Sequence, residues 1–151
     1  MSAAELGFVI ITHGRVGEEL LRVAAHIMGR KLGNVRAVGV PFMAEAEGAF
    51  ASATPFETRR QWLLGEIRAA VAAVDQGAGV LILTDIVGGT GFNAARTLLA
   101  PGEGIVVAGV NLPMLLKIPS VRALPAAEAA AELVSRSRRA IEQRGPGGQG
   151  G

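Results

Sequence analysis

His13, Asp85 and a glycine-rich turn at 88–91 are the residues of this chain whose types and placement could do chemistry. His13 follows an apolar run, Leu6-Gly7-Phe8-Val9-Ile10-Ile11, and Thr12, and it precedes Gly14. An imidazole titrates near neutrality and can act as base, acid or nucleophile. Asp85 closes a second apolar run, Val80-Leu81-Ile82-Leu83-Thr84. A carboxylate there could orient one ring nitrogen and leave the other free to attack. Gly88-Gly89-Thr90-Gly91 then leads into Phe92-Asn93. Glycines let a backbone approach an anion closely, and a following helix N-terminus adds free N–H groups and a positive dipole end. Thr90 could add a hydroxyl donor. Taken singly, each feature has a plainer reading: a strand-end histidine bonded to backbone, an Asp capping its own turn, a tight strand-to-helix connection. Together they favour a histidine whose phosphorylated form is held by an anion-binding turn.

Other chemistries find little support. The chain has no Cys and two His. The second, His26, shares a helical face with Glu19, Arg22 and Arg30 and reads as a solvated side chain. No metal-ligand set follows, and no cofactor is expected. The glycines are not followed by Gly-Lys-Ser/Thr, so they do not form a Walker A loop, and no Gly-x-Ser-x-Gly elbow is present.

The elements that must position these residues are legible from periodicity. Continuous apolar runs at 6–12, 35–40, 80–84 and 105–108 predict strands, the first buried on both faces. Helical spacing predicts helices over 16–31, 54–75, 92–99, 114–117 and 126–144. Thr54 is expected to cap the second, with Pro55 at its first helical position and Glu57 completing a capping box. Asn111 is expected to cap the fourth, and Pro119 to stop it. Residues 120–124 then read as a short edge strand, 41–53 as a surface loop, and 145–151 as a disordered Gly-rich tail. The alternation predicts an α/β fold, a doubly wound and mostly parallel four-stranded sheet with helices on both faces, in one domain over 1–144. In such sheets ligands collect at the carboxyl ends of strands, where His13 and Asp85 fall.

Half of the residues are apolar and the net charge is +2. A packed core is expected, and no basic stripe with interleaved aromatics suggests nucleic-acid binding. No apolar window approaches the length of a membrane span, and the N-terminal run has no basic region before it. The expectation is a cytoplasmic protein without membrane insertion.

Three blocks carry a family resemblance. Ile11-Thr12-His13-Gly14, then Leu83 to Ala95 through Asp85 and Gly88-Gly89-Thr90-Gly91-Phe92-Asn93, then Val107 to Leu115 through Gly109-Val110-Asn111-Leu112-Pro113, resemble the mannose-family IIA component of the bacterial phosphoenolpyruvate-dependent sugar phosphotransferase system. The resemblance spans most of residues 6–144. It implies that His13 accepts a phosphoryl group from the histidine-containing phosphocarrier protein HPr and passes it to a IIB component. It implies that Asp85 pairs with His13, that Gly14, Gly88, Gly89 and Thr90 bind the phosphoryl group, and that Asn111 lies near the site. It also implies a homodimer that exchanges a C-terminal edge strand, which would fall at 120–124. Gly91 stands where the family often has proline, which is expected to loosen the turn. No IIB segment follows in the sequence, so a separate acceptor is expected. Two other outcomes fit the same residues: the phosphotransfer subunit of a dihydroxyacetone kinase, and a regulatory module switched by phosphorylation of His13.

Overall fold

The computed structural model describes residues 3–42, 55–99 and 104–147. The 43–53 part of the expected surface loop, the Thr54 cap and the 148–151 part of the tail lie outside the described residues. Four strands, β1 (Gly7–His13), β2 (Val35–Val40), β3 (Val80–Thr84) and β4 (Ile105–Ala108), form one sheet in the order β2-β1-β3-β4. All neighbouring pairs are parallel. Five helices connect and cover them: α1 (Val16–Met28), α2 (Phe56–Val74), α3 (Thr90–Leu98), α4 (Leu112–Val121) and α5 (Ala126–Arg139). The fold is the expected α/β sheet with helices on both faces.

Side chains of a strand alternate between faces, and β1 shows this directly. Phe8 and Ile10 join Leu81, Leu83 and Val107 against Ala24 of α1, Met114, Leu115, Ile118 and Val121 of α4, and Leu133 of α5. Val9 and Ile11 join Val38, Val40 and Ile82 against Leu63, Leu64 and Ile67 of α2 and Ala94 and Ala95 of α3. Both faces of β1 are therefore dry, which is why its sequence is a continuous apolar run rather than an alternating one.

The chain winds from β1 to β2 on one side, then crosses to β3 and on to β4 on the other. The reversal opens a crevice at the carboxyl ends of β1 and β3. Ile11 is in register with Thr84, so His13 and Asp85 both project beyond the paired stretch at that crevice.

Several boundaries differ from expectation. α1 stops at Gly29, whose left-handed backbone (φ 66°) lets its N–H cap the Ala25 and His26 carbonyls. α3 begins at Thr90, immediately after the glycines, instead of at 92. α5 ends at Arg139. Pro55 occupies the cap position before α2 rather than its first turn, and Glu57 accepts from Gln61 and Arg60 further along the helix.

The expected strand at 120–124 is not formed. α4 continues through Pro119 to Val121. Met114, Leu115, Ile118 and Val121 recur at helical spacing and are each at most 1% exposed. Ending the helix at Pro119 would forfeit the burial of Val121. Pro119 removes only its own N–H from the ladder, and bonding resumes with Arg122 N–H to the Ile118 carbonyl at 3.2 Å. Asn111 does cap this helix, accepting from Met114 N–H at 3.0 Å.

One cap was not anticipated. Arg15, at the cap position of α1, makes no side-chain capping bond. The hydroxyl of Thr12, a strand residue only 1% exposed, accepts from Gly17 N–H at 2.8 Å instead. This bond ties the end of β1 to the start of α1 across the turn that carries His13. Thr12→Val keeps the shape and orphans the Gly17 amide. It is expected to lower stability by about 1–2 kcal/mol in chemical denaturation, whereas Thr12→Ser is expected to retain most of it.

Candidate functional site

The turn after β1 is shaped by close backbone approaches. Gly14 has φ +51° and donates its N–H to the Val40 carbonyl at 2.8 Å. A Cβ on Gly14 would lie 2.8 Å from the Phe42 ring, and one on Gly39 would lie 2.4 Å from the Gly14 carbonyl oxygen. The Gly14 amide is thus already committed, and its part is to bend the chain rather than to donate to a ligand.

His13 is gripped twice by one oxygen. Its backbone N–H donates to Asp85 Oδ2 at 2.9 Å, and its ring Nδ1 lies 2.8 Å from the same oxygen. A carboxylate only accepts, so Nδ1 carries the proton in this pair. Asp85 Oδ1 accepts from Ile86 N–H at 3.0 Å, which fixes the carboxylate plane. Burial alone would raise the Asp85 carboxyl. The His13 amide, the ring hydrogen bond and, when the imidazole is protonated, its charge outweigh it and hold the group below its ordinary value of 3.8. The His13 side chain is 43% exposed and that of Asp85 25%. Nε2 has no hydrogen-bond partner among the described residues. The nitrogen away from Asp85 is therefore the one open to a reacting group.

The glycine turn borders the ring. Gly88 has φ +75°, a conformation that side chains disfavour. A Cβ on Gly89 would stand 3.4 Å from His13 Cε1 and 2.9 Å from Ile86 Cγ2. Asn93 Nδ2 donates to the Gly88 carbonyl at 2.9 Å and holds the turn against α3. Gly89 occupies the cap position of α3 without a side-chain cap, so the first-turn amides from Thr90 onward are unclaimed by side chains. Gly91 lies within the first turn of α3, and a Cβ there would sit 2.6 Å from Ile11 Cγ2. Its absence of side chain lets the helix N-terminus press onto β1 beside His13.

A cavity of about 660 Å³ opens at the crevice. His13 lines it from the end of β1, Gly88, Thr90 and Asn93 from the turn and α3, and Phe56, Arg59 and Arg60 from α2. Asn111 is not among its lining residues, and its side chain is occupied in capping α4. His26 is exposed on α1, away from the crevice. The structure thus brings His13, Asp85, Gly88, Gly89 and Thr90 together. Sequence reasoning missed Thr12 and the two arginines. The arginines were findable, because Arg60 precedes Leu63, Leu64 and Ile67 by three, four and seven positions.

The EIIA-man family model, described as the fructose IIA component of the phosphotransferase system, matches residues 7–135. The chain belongs to that family. Its members are phosphotransferase-system IIA components. The mannose-specific EIIAB component of Escherichia coli K12 is 34% identical over 113 residues, which cover 74% of this chain and 30% of that protein. The fructose-specific EIIA component of Bacillus subtilis is 50% identical over a shorter stretch of 44 residues, 28% of this chain and 30% of that protein. The chain spans about 30% of the length of the curated relatives it matches. In fold, it is similar to the mannose/sorbose specific IIA subunit from Enterococcus faecalis, with a TM-score of 0.73 at 22% identity over 97% of this chain and 99% of that one. Among the described residues of this IIA domain, no helix is long and apolar enough to cross a membrane.

The depressed Asp85 carboxyl gives a signed pH effect. A group whose folded value lies below its unfolded value stabilises the fold above the unfolded value, and that contribution is lost as pH falls through the folded one. In urea denaturation, wild type is expected to exceed Asp85→Asn in stability at about pH 6, with the gap closing on acidification below the usual carboxylate range. A gap that stays constant down to about pH 2 would contradict the ionised pairing.

Proposed function

We propose that this domain is a phosphoryl carrier in which His13 Nε2 receives a phosphoryl group from HPr and passes it to a IIB component. The observation that carries the reading is the double contact of Asp85 Oδ2 with the His13 amide and Nδ1. It fixes both the ring's orientation and its tautomer, leaving the Nε2 lone pair outward. In the forward step that lone pair attacks the phosphorus of the donor's phosphohistidine. The new P–N bond forms on Nε2 as the donor's P–N bond breaks, and the donor imidazole leaves with that electron pair. The His13 ring acquires positive charge, spread over both nitrogens and balanced by the Asp85 carboxylate. Nδ1–H stays bonded to Asp85 throughout, so no proton need move at this residue. The second transfer is the same displacement in reverse, with an acceptor side chain of IIB as nucleophile.

A transferring phosphoryl group spreads its charge over three equatorial oxygens, and positioned donors stabilise it. The amides of Gly88 and Thr90, the Thr90 hydroxyl and the positive end of α3 are suited to that role. Gly14 serves by placing His13, since its own amide is bonded to Val40. The reading places the domain in the cytoplasm, where both partners would operate. The reading carries with it a homodimer, and residues 120–124, which are helix and turn here, supply no edge strand for exchange.

Incubation with labelled phosphoenolpyruvate, enzyme I and HPr tests the carrier role. Wild type is expected to take up acid-labile label and release it to IIB. His13→Ala is expected to take up none. Asp85→Asn is expected to label roughly 10–100-fold more slowly, the range of a lost charged hydrogen bond. Undiminished label on His13→Ala would overturn the assignment.

A further inference from the structure

α2 follows β2 and precedes β3, so it runs against the strands and its first turns stand over their carboxyl ends. Its core-facing stripe comprises Leu63, Leu64, Ile67 and Val74, all buried. One turn earlier, the same stripe continues in Arg60. At that level the sheet has ended, and the stripe looks onto the cavity that His13, Gly88 and Thr90 line from the other side. The charge faces a phosphoryl site instead of a core.

Among the described residues, the charges around this cavity are few. Asp85 supplies a carboxylate on the Nδ1 side of the ring, and the turn supplies neutral amides. Arg15 is not a lining residue, and it pairs with Glu18 at 2.8 Å on the outer surface. Among the described residues, the cationic side chains lining the cavity are Arg59 and Arg60. A dianionic phosphoryl group on Nε2 would be attached to the same ring that Asp85 holds, and the two anions repel. A cation on the opposite side offsets that repulsion, and a guanidinium fits phosphoryl oxygens in a bidentate way.

Arg60 is also held loosely. Its contact with Glu57 Oε1 is 3.4 Å, and that oxygen already accepts from Gln61 Nε2 at 2.8 Å. The Arg60 side chain is 38% exposed. Turning from Glu57 to an anion therefore costs one long, solvated contact.

The geometry points to Arg60 as a phosphoryl-binding residue of this site, which engages the oxygens of the group carried on His13. Glu57 is its resting partner when no phosphoryl group is present. The inference rests on His13 as the carrier, but the anion site itself can be read without phosphotransfer.

The test has two arms on the full chain. In the first, inorganic phosphate is titrated into unphosphorylated protein while the His13 imidazole signals are followed by NMR. Wild type is expected to show saturable shifts. Arg60→Gln is expected to bind about tenfold more weakly, Arg60→Lys in between, and Glu57→Gln more tightly than wild type. In the second, the rate of labelling from phosphoenolpyruvate is expected to fall about tenfold in Arg60→Gln and to be partly restored in Arg60→Lys, with thermal melting unchanged. Wild-type signals indifferent to phosphate, or an Arg60→Gln variant that binds phosphate and labels like wild type, would overturn the role of Arg60 and leave His13 as carrier. Arg60-dependent phosphate binding in a protein that takes no label would sustain the anion site and overturn the carrier reading.

Discussion

One carboxylate oxygen, Asp85 Oδ2, organises this site. It accepts from the backbone of His13 at 2.9 Å and stands 2.8 Å from Nδ1 of the same residue. A side-chain pair alone would leave the imidazole free to swing about the strand end. The main-chain bond removes that freedom, because the carboxylate is referenced to the backbone it must orient. The same contacts hold Asp85 ionised against the cost of its burial. Orientation, tautomer and charge balance of the ring thus share a single origin.

That contact requires two strand ends to arrive together, and the fold supplies this at the reversal of the winding order. β1 and β3 are adjacent and parallel, with Ile11 in register with Thr84. His13 lies two residues beyond one partner and Asp85 one residue beyond the other. The surrounding small residues are needed for proximity. Gly39 lets the Gly14 carbonyl come close, and Gly91 lets α3 rest on Ile11. The Thr12 hydroxyl then joins β1 to α1. The ring is held on its Nδ1 side by Asp85 and exposed on the other, with Ile86 and Val87 also exposed after the strand end.

Much of this was legible in the sequence. A strand dry on both faces reads as an unbroken apolar run, so β1 and β3 stand out. Residues at their ends fall at the crevice by topology alone, which is how His13 and Asp85 could be paired. What sequence could not supply were contacts set by tertiary geometry. The cap from Thr12 comes from a strand, three residues before the usual capping position, where no local rule looks. Pro119 obeys its local rule in isolation and loses to the burial of Ile118 and Val121. Gly91 reads as a turn residue but serves helix–strand contact. The family resemblance implies that Gly14 binds the phosphoryl group, although its amide belongs to Val40.

The pairing makes a claim about a single atom. With Nδ1–H committed to Asp85, the proposed carrier role puts the phosphoryl group on Nε2. Phosphorylated protein labelled with nitrogen-15 in its histidines resolves this by the phosphorus–nitrogen coupling within the His13 ring. Coupling to Nε2, with Nδ1 still protonated, is the predicted result. A phosphoryl group on Nδ1 would contradict it, because that nitrogen could then no longer donate to Asp85.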